Sequence, residues 1–180
     1  MPRFDKLLVL DIDETLIYST LEKLDREPDF VLGPYFVYKR PGVDKFLETC
    51  LDWFEVGIWS SATADYAEEI IENLAADSSR VSFLWSRERC TLVFDYEALG
   101  QYYLKDIKKL KNKGYKVEKI IVIEDSWKAV ERNYSNAIIV REYRGQANDD
   151  ELLKLLSYLE KLGKAENVRT IEKRNWRNEC

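Results

Sequence analysis

The chain has 180 residues, of which 46% are hydrophobic and 34% charged, with a net charge of −5. These values predict one folded domain over residues 1–180 and exclude a disordered or low-complexity chain. No stretch approaches the roughly 18 consecutive apolar residues of a membrane span, and Asp11 interrupts the apolar N-terminal run. We therefore expect no membrane segment and no signal peptide. The absence of histidine excludes histidine-based acid–base, nucleophilic and zinc chemistry.

The cysteine content and the net charge indicate the cellular compartment and the kind of partner to expect. Cys50, Cys90 and Cys180 are odd in number and widely spaced, which argues against a disulfide framework or a zinc knuckle. Cys50 is predicted to fill the core and Cys180 to be incidental. This usage predicts a reducing compartment, the cytoplasm, or the nucleus in a eukaryote. The acidic balance does not favour a surface that coats nucleic acid.

In the first half of the chain, short apolar runs rich in β-formers alternate with stretches that repeat apolar residues at helical spacing. The pattern predicts a buried strand at 6–12, an exposed hairpin at 28–40, a helix at 42–53, a second buried strand at 54–60 and a helix at 63–75 with Thr63 as its N-cap.

The second half continues the alternation. We predict a second hairpin at 80–97 around the polar turn 86–89, buried strands at 117–125 and 137–140, an amphipathic helix at 149–162 and a helical tail at 164–180. Alternating strands and helices are typical of a doubly wound α/β fold with a parallel sheet.

Polar side chains follow the predicted strands. Parallel sheets bind ligands at the carboxyl ends of their strands, so these side chains should gather at one edge. The first strand is followed by acids and a threonine, the second by two serines, the second hairpin by a lysine and the third strand by two acids: Asp11, Asp13, Glu14, Thr15, Ser60, Ser61, Lys105, Glu124 and Asp125.

This set of groups suits phosphoryl transfer. Clustered carboxylates favour Mg²⁺, which prefers oxygen ligands. A lysine and a hydroxyl can hold the oxygens of the transferred group. Asp11 can attack phosphorus to give an aspartyl-phosphate, and Asp13 can protonate the leaving alkoxide and then deprotonate water.

The order of these residues along the chain separates two folds that use the same residue types. Receiver domains place the acid pair first, the acceptor Asp at the third strand and the lysine last. Here Asp-x-Asp comes first, and Lys105 precedes the pair Glu124–Asp125. This order resembles the haloacid dehalogenase superfamily, and an Asp two residues after the nucleophile resembles its phosphatases and mutases.

Six longer segments extend the resemblance over about Lys6 to Leu162: LLVLDIDETLIYS, YKRPGVDKFLE, IWSSATADYA, FLWSRERCT, LKDI and VIEDS. In this order they resemble the RNA polymerase II carboxy-terminal-domain phosphatases and the NLI-interacting-factor-like family. The resemblance implies that Asp11 is the nucleophile and Asp13 the general acid/base. It also implies a set of residues around the phosphate, in which Thr15 helps to fix the loop: Ser60, Ser61, Lys105 and Thr15.

The resemblance further implies a Mg²⁺ site made by Asp11, the backbone carbonyl of Asp13, and Asp125. The chain departs from the family at this motif, because Glu124 stands where an Asp is usual and Trp127 where a Pro is usual. Glu124 either contacts the metal ligands without touching the metal or binds the metal itself. Trp127 is a candidate wall of the substrate cleft, as are Trp59 and Trp85 near other strand ends.

Neither gap between the motifs is long enough for a full cap domain, so we expect an open site. An open site suits a phosphate on a large substrate, and the family implies phosphoserine or phosphothreonine in a protein. Two alternatives stay open: a phosphatase for nucleic-acid ends or small phosphomonoesters, and a non-catalytic binding module. The segment from Lys105 to Lys119 holds seven lysines against two acids and is either a solvated face or a positive lip beside the site.

Overall fold

Five parallel strands form the centre of the computed structural model, which describes residues 1–179; Cys180 lies outside the described residues. The ten strands of residues 1–179 are β1 Leu7–Leu10, β2 Ile17–Thr20, β3 Phe30–Leu32, β4 Tyr35–Lys39, β5 Glu55–Trp59, β6 Phe83–Trp85, β7 Thr91–Asp95, β8 Gly100–Leu104, β9 Ile120–Glu124 and β10 Ala137–Ile139. The strand order across the central sheet is β10-β9-β1-β5-β6.

The helices are α1 Val43–Trp53, α2 Ala64–Leu74, α3 Lys108–Lys111 and α4 Glu151–Lys164. They cover both faces of the central sheet, and successive side chains of a strand point to opposite faces. Leu8 and Leu10 face a core that is closed by α1, α2 and α4, and Cys50 lies in it as predicted. Leu7 and Val9 face a second core, closed by α3 and the 3₁₀ segment Trp127–Asn136. The doubly wound α/β prediction is thus confirmed.

The first insertion follows β1 and forms a small antiparallel sheet. β3 and β4 are the predicted hairpin at 28–40, and β2 pairs with the other side of β4. Sequence analysis did not identify β2. Thr63 begins α2 as predicted, although its side chain makes no capping hydrogen bond.

The predicted hairpin at 80–97 is wrong. The two strands exist, but β6 pairs in parallel with β5 as the edge of the central sheet, whereas β7 pairs with β8. β6 joins the sheet because Phe83 and Trp85 pack into the second core. The hairpin therefore spans β7 and β8 at 91–104 and leads directly into Lys105.

The tail after α4 is also not the continuous helix that was predicted at 164–180. It contains two short 3₁₀ turns, Val168–Thr170 and Trp176–Glu179. Buried Trp176 donates from Nε1 to the carbonyl of Ile139 at 3.1 Å, which fastens the tail to the edge strand β10. In residues 1–179 no helix is both long and apolar enough to cross a bilayer.

Candidate active site

The turn after β1 positions two of the predicted catalytic residues. The Ile12 carbonyl accepts hydrogen bonds from the backbone N–H groups of Leu16 (2.8 Å) and Ile17 (3.2 Å), which closes a tight loop. Glu14 takes a positive φ of 55° in this loop. Asp11 and Asp13 therefore leave the strand at the carboxyl edge of the sheet, and Asp11 is anchored by its N–H to the Ile123 carbonyl of β9 at 3.1 Å.

Lys105 lies at the base of the site between two carboxylates. Its Nζ donates to Asp11 Oδ1 and to Glu124 Oε2, the latter at 2.5 Å, and the side chain is 2% exposed. Its backbone N–H bonds to the Ala129 carbonyl at 2.7 Å, and its carbonyl accepts from Asn133 Nδ2 at 2.8 Å. Burial alone would lower the pKa of Lys105, but the two carboxylates outweigh burial and raise it, so the lysine stays charged.

Three carboxylates gather above this lysine. One oxygen from each of Asp11, Glu124 and Asp125 lies within 4.8 Å of the others. Burial, with the charge of Glu124, raises the pKa of Asp11 to about 6, although Lys105 opposes the rise. Burial also raises the pKa of Glu124 to about 7 and raises that of Asp125. The raised pKa values show that these acids are buried together with too little compensating positive charge.

Asp13 has a partner that sequence analysis missed. The Tyr66 hydroxyl donates to Asp13 Oδ1 at 2.6 Å and lies 2.6 Å from Ser19 Oγ. Burial raises the pKa of Asp13 to about 6, and the hydrogen bond from Tyr66 opposes the rise. Helical spacing predicts only that Tyr66 points inward from α2; the single signal for a polar role is a hydroxyl on an otherwise apolar face.

The two serines after β5 differ in exposure. Ser60 is fully buried; its Oγ accepts from the Ala62 N–H at 3.0 Å, which leaves the hydroxyl proton available to an acceptor. Ser61 is exposed, and its carbonyl accepts from Arg87 Nε at 2.8 Å. β5 is the neighbour of β1, so both serines follow the strand next to Asp11. Their contact with phosphate stays a prediction.

Thr15 is fully buried, and its hydroxyl has no hydrogen-bond partner among residues 1–179. Its carbonyl accepts from Arg40 Nη1 at 3.0 Å, and Arg40 also bonds both oxygens of Asp149, each at 2.8 Å. Arg40 is fully buried, so it ties the catalytic loop to the start of α4. These contacts give Arg40 a structural role and fit the loop-fixing role expected of Thr15, whose contact with phosphate stays a prediction.

The candidate tryptophans and lysines do not all belong to the site. Trp59 and Trp85 are buried against each other with ring centroids 4.8 Å apart, whereas Trp127 is 60% exposed just beyond the acid pair. Lys119 precedes β9 and pairs with Asp5 at the amino ends of the strands. The Lys105–Lys119 segment thus runs from the site to the opposite end of the sheet and does not form one positive lip.

The donor set fits a hard divalent cation. All three clustered groups offer carboxylate oxygens, which Mg²⁺ prefers. In the described part of the chain, Lys105 is the one cation that bonds to these carboxylates, so the cluster retains negative charge that a metal would neutralise. Asp11 and Asp125 are the residues that would hold it. Glu124 is within reach, but its two oxygens already accept from Lys105 and from the Ser126 N–H.

Comparison with known families agrees with this geometry. The family model described as "NLI interacting factor-like phosphatase" matches residues 6–169. The chain belongs to this family. It is accordingly a phosphatase of the carboxy-terminal-domain (CTD) phosphatase type, and its fold is that of the haloacid dehalogenase phosphatases.

Several curated phosphatases of this family are similar over most of the chain. CTD nuclear envelope phosphatase 1 of Xenopus laevis is 30% identical over 185 residues, which cover 94% of this chain and 72% of that protein. A probable C-terminal domain small phosphatase of Dictyostelium discoideum is 33% identical and covers 94% of this chain and 55% of that protein.

Solved structures share the fold at lower identity. The fission yeast RNA polymerase II CTD phosphatase Fcp1, bound to beryllium fluoride, aligns with a TM-score of 0.58 and 20% identity over 81% of this chain and 44% of that chain. An uncharacterized protein from Listeria monocytogenes aligns with a TM-score of 0.59 and 14% identity, over 89% of this chain and 99% of that chain.

Proposed function

We propose that the chain is a Mg²⁺-dependent phosphatase that hydrolyses a phosphomonoester through an aspartyl-phosphate on Asp11, with phosphoserine or phosphothreonine of a protein as substrate. The observation that carries the proposal is Lys105 bridging Asp11 and Glu124 beneath three clustered carboxylates. This arrangement gives one nucleophilic carboxylate, one fixed cation and a set of oxygen ligands at a single sheet edge. Such a combination is what phosphoryl transfer requires.

The roles of the two aspartates follow from their partners. Asp11 contacts an ammonium, which favours the ionised form that attacks phosphorus while the ester P–O bond breaks. Burial raises the pKa of both acids to about 6, so their partners distinguish them. Asp13 accepts from a neutral hydroxyl and forms no ion pair with an ammonium of residues 1–179, so it is the acid that can hold a proton and give it to the departing alkoxide. Asp13 then takes a proton from the water that attacks the phosphoryl group on Asp11, which releases phosphate and restores both acids.

The remaining groups hold the phosphate. We assign Lys105 and the Ser60 hydroxyl to the oxygens of the transferred group, where negative charge is greatest. Bound Mg²⁺ supplies neutralisation of the charge that Asp11 and the phosphate bring together. We propose Asp11, Asp125 and the backbone carbonyl of Asp13 as its ligands, with Glu124 holding Lys105 in place.

A protein substrate is supported by the openness of the site. The insertions are a three-stranded sheet and a two-stranded hairpin, and neither has the size of a cap domain. Trp127 is exposed beside the acid pair and offers a surface to a protruding chain. We place the phosphatase in the cytoplasm or, in a eukaryote, the nucleus.

Hydrolysis of an aryl phosphate by wild type and by Asp11→Asn, each with Mg²⁺ and with EDTA, tests the proposal. We expect turnover only by wild type with Mg²⁺. Asp5→Asn is the matched control, because Asp5 is exposed at the opposite end of the sheet, and it should retain full activity. Phosphopeptides should exceed phosphorylated oligonucleotides in kcat/KM; the reverse order would favour the nucleic-acid alternative. Inert wild type with Mg²⁺ would favour the binding module.

A further inference from the structure

A groove of about 750 Å³ lies beside the edge strand β10 and outside the carboxylate cluster. Its walls are the 3₁₀ segment Trp127–Asn136, β10 with the two residues that follow it, and tail residues 169–177; we call it the tail groove. Its volume lies within the range of about 300–1,000 Å³ that is typical of ligand pockets. Its surface is mostly apolar and includes Ile139, Val140 and Ile171.

The tail groove is positively charged although the protein is acidic overall. Five arginines and lysines line it against two glutamates. Two of the cations are already neutralised, Arg174 by Glu172 and Arg177 by Glu151. Arg141 forms no ion pair within 4 Å with any residue from 1 to 179, although its charge acts on Asp149. Arg169 makes only a hydrogen bond from Nε to Ser135 Oγ at 3.0 Å. Both of these arginines are exposed, so their charge is available to a ligand.

Lys173 adds a buried positive charge to the same wall. It is 7% exposed, and its ammonium donates to the backbone carbonyls of Ser135 (2.7 Å), Ile171 (2.9 Å) and Val168. No carboxylate of the described residues forms an ion pair with it. Burial lowers its pKa to about 8, although the charge of Glu172 opposes the fall. An anion in the tail groove would add to this negative charge.

The tail groove lies beside the candidate active site. Trp127 lines the groove and lies three residues after Glu124, and the Val140 N–H bonds to the Glu124 carbonyl at 2.9 Å. Arg141 therefore lies at the same carboxyl edge of the sheet as the acids. β10 is two strands from β1, which corresponds to about 10 Å at the usual strand spacing. An extended peptide covers that distance in about three residues, so the residues beyond the third reach the groove.

We propose that the tail groove binds an acidic segment of the phosphoprotein substrate, about four to seven residues from the phosphorylated side chain. The inference rests on the proposed function and deepens it. Arg141 and Arg169 contact the carboxylates of the segment, and the apolar surface between them takes an aliphatic side chain. Trp127 is the bridge between the two parts of the binding surface. Charge complementarity of this kind selects partners and raises association rates.

Three phosphoserine peptides test the proposal. They carry, at positions four to seven on either side of the phosphoserine, a neutral segment, a segment of glutamates with one leucine, or the same segment with lysines. Wild type should hydrolyse the acidic peptide with a kcat/KM about tenfold above that of the neutral peptide. The difference should lie in a lower KM, and added salt should reduce it. The basic peptide should be the poorest substrate.

The variant Arg141→Gln/Arg169→Gln should lose this advantage to within about twofold while keeping wild-type hydrolysis of an aryl phosphate. Lys45→Gln removes an exposed positive charge on α1 and should keep the advantage of the acidic peptide over the neutral one. Equal kcat/KM for the three peptides, or an advantage that survives in the double variant, would overturn the proposal.

Direct binding separates this proposal from the proposed function. Fluorescence anisotropy with the labelled acidic peptide lacking phosphate needs no catalysis, and we expect binding to wild type and to Lys45→Gln but not to the double variant. If wild type hydrolyses no phosphomonoester and the peptide still binds in this way, the proposed function fails and the groove assignment stands. Absent binding, or displacement of the peptide by a single-stranded oligonucleotide of higher affinity, overturns the assignment.

Discussion

At the scale of single residues, burial and a neighbouring ammonium have opposite effects on the pKa values of the site acids. Burial raises the pKa values of Asp11 and Glu124, and the Lys105 ammonium that both contact works against that rise. The same two carboxylates keep Lys105 charged. One buried cation shared by two buried acids still leaves negative charge at the sheet edge, which is the electrostatic basis of the proposed metal site.

The Tyr66 hydroxyl should matter for catalysis. Tyr66→Phe removes the hydrogen bond to Asp13, and a hydrogen bond to a charged group contributes about 1.5–3 kcal/mol. We expect kcat to fall by about tenfold or more with little change in KM, because Tyr66 orients the acid/base. Tyr115→Phe is the matched control, since the Tyr115 hydroxyl donates to Glu55 at 2.5 Å at the opposite end of the sheet. Equal kcat for wild type and Tyr66→Phe would contradict this role.

The Arg40–Asp149 pair should contribute to stability. Asp149→Asn leaves a buried guanidinium without its counter-ion, and breaking a buried pair in this way costs about 3–5 kcal/mol. Urea unfolding should show this loss at pH 7. Asp150→Asn, which breaks only the exposed pair with Lys154, should have a much smaller effect; equal effects of the two substitutions would refute the assignment.

The same pair sets a pH dependence. Burial alone would raise the pKa of Asp149, but the hydrogen bonds from Arg40 outweigh it and lower the pKa. Because the folded-state pKa lies below the unfolded value of about 3.9, the contribution is complete above that pH and is lost as pH falls through the folded-state pKa. Wild type should therefore lose more of its free energy of unfolding than Asp149→Asn as the pH is lowered to 3.

At the scale of elements, close packing between β5 and β6 makes a glycine necessary. A Cβ on Gly57 would lie 2.2 Å from the Phe83 ring, which itself packs against Trp85 at 4.8 Å. Gly57→Ala should cost about 1–3 kcal/mol through overpacking. In Gly100→Ala the added carbon would come no nearer than 3.8 Å to other atoms, so little change is expected. Thermal unfolding of the two variants distinguishes them, and similar losses would contradict this explanation.

The elements also show where sequence analysis succeeds. β1, β5 and β9 are four or five residues long and buried throughout or nearly so, so their apolar runs predict them. β6 has only three residues, and its pairing depends on what lies beside it in space. The local pattern at 80–97 fits a hairpin equally well, because strand pairing is not encoded in a short segment.

The same distinction between local pattern and packing decides which residues of the candidate site could be predicted. Strand ends are visible in the sequence, so Asp11, Lys105 and Asp125 could be placed at one edge in advance. The contact of Tyr66 with Asp13 joins residues 53 positions apart and depends on how α2 packs, which helical spacing does not specify. The exposure of Trp127 and the burial of Trp85 depend in the same way on packing between elements.

At the scale of the whole molecule, metal binding should stabilise the fold. A ligand that binds only the native state at a hundredfold excess over its Kd adds about 2.7 kcal/mol, which corresponds to about 5–10 °C in Tm for a chain of this size. Mg²⁺ should raise the Tm of wild type and of Asp5→Asn, but not that of Asp125→Ala. A similar rise in Asp125→Ala would place the cation elsewhere.

The proposed mechanism requires Asp11 to carry the phosphoryl group during turnover. Its most direct test is acid quenching of Asp13→Asn during reaction with nitrophenyl phosphate and Mg²⁺, followed by mass spectrometry of proteolytic fragments. The nitrophenolate leaves without a proton from Asp13, so the first step still proceeds in this variant. Without Asp13 to activate water, the phosphoryl group should accumulate on the fragment that contains Asp11 and be absent from Asp11→Asn/Asp13→Asn. A phosphoryl group found on Ser60 or on another fragment, or its persistence in the double variant, would contradict this mechanism.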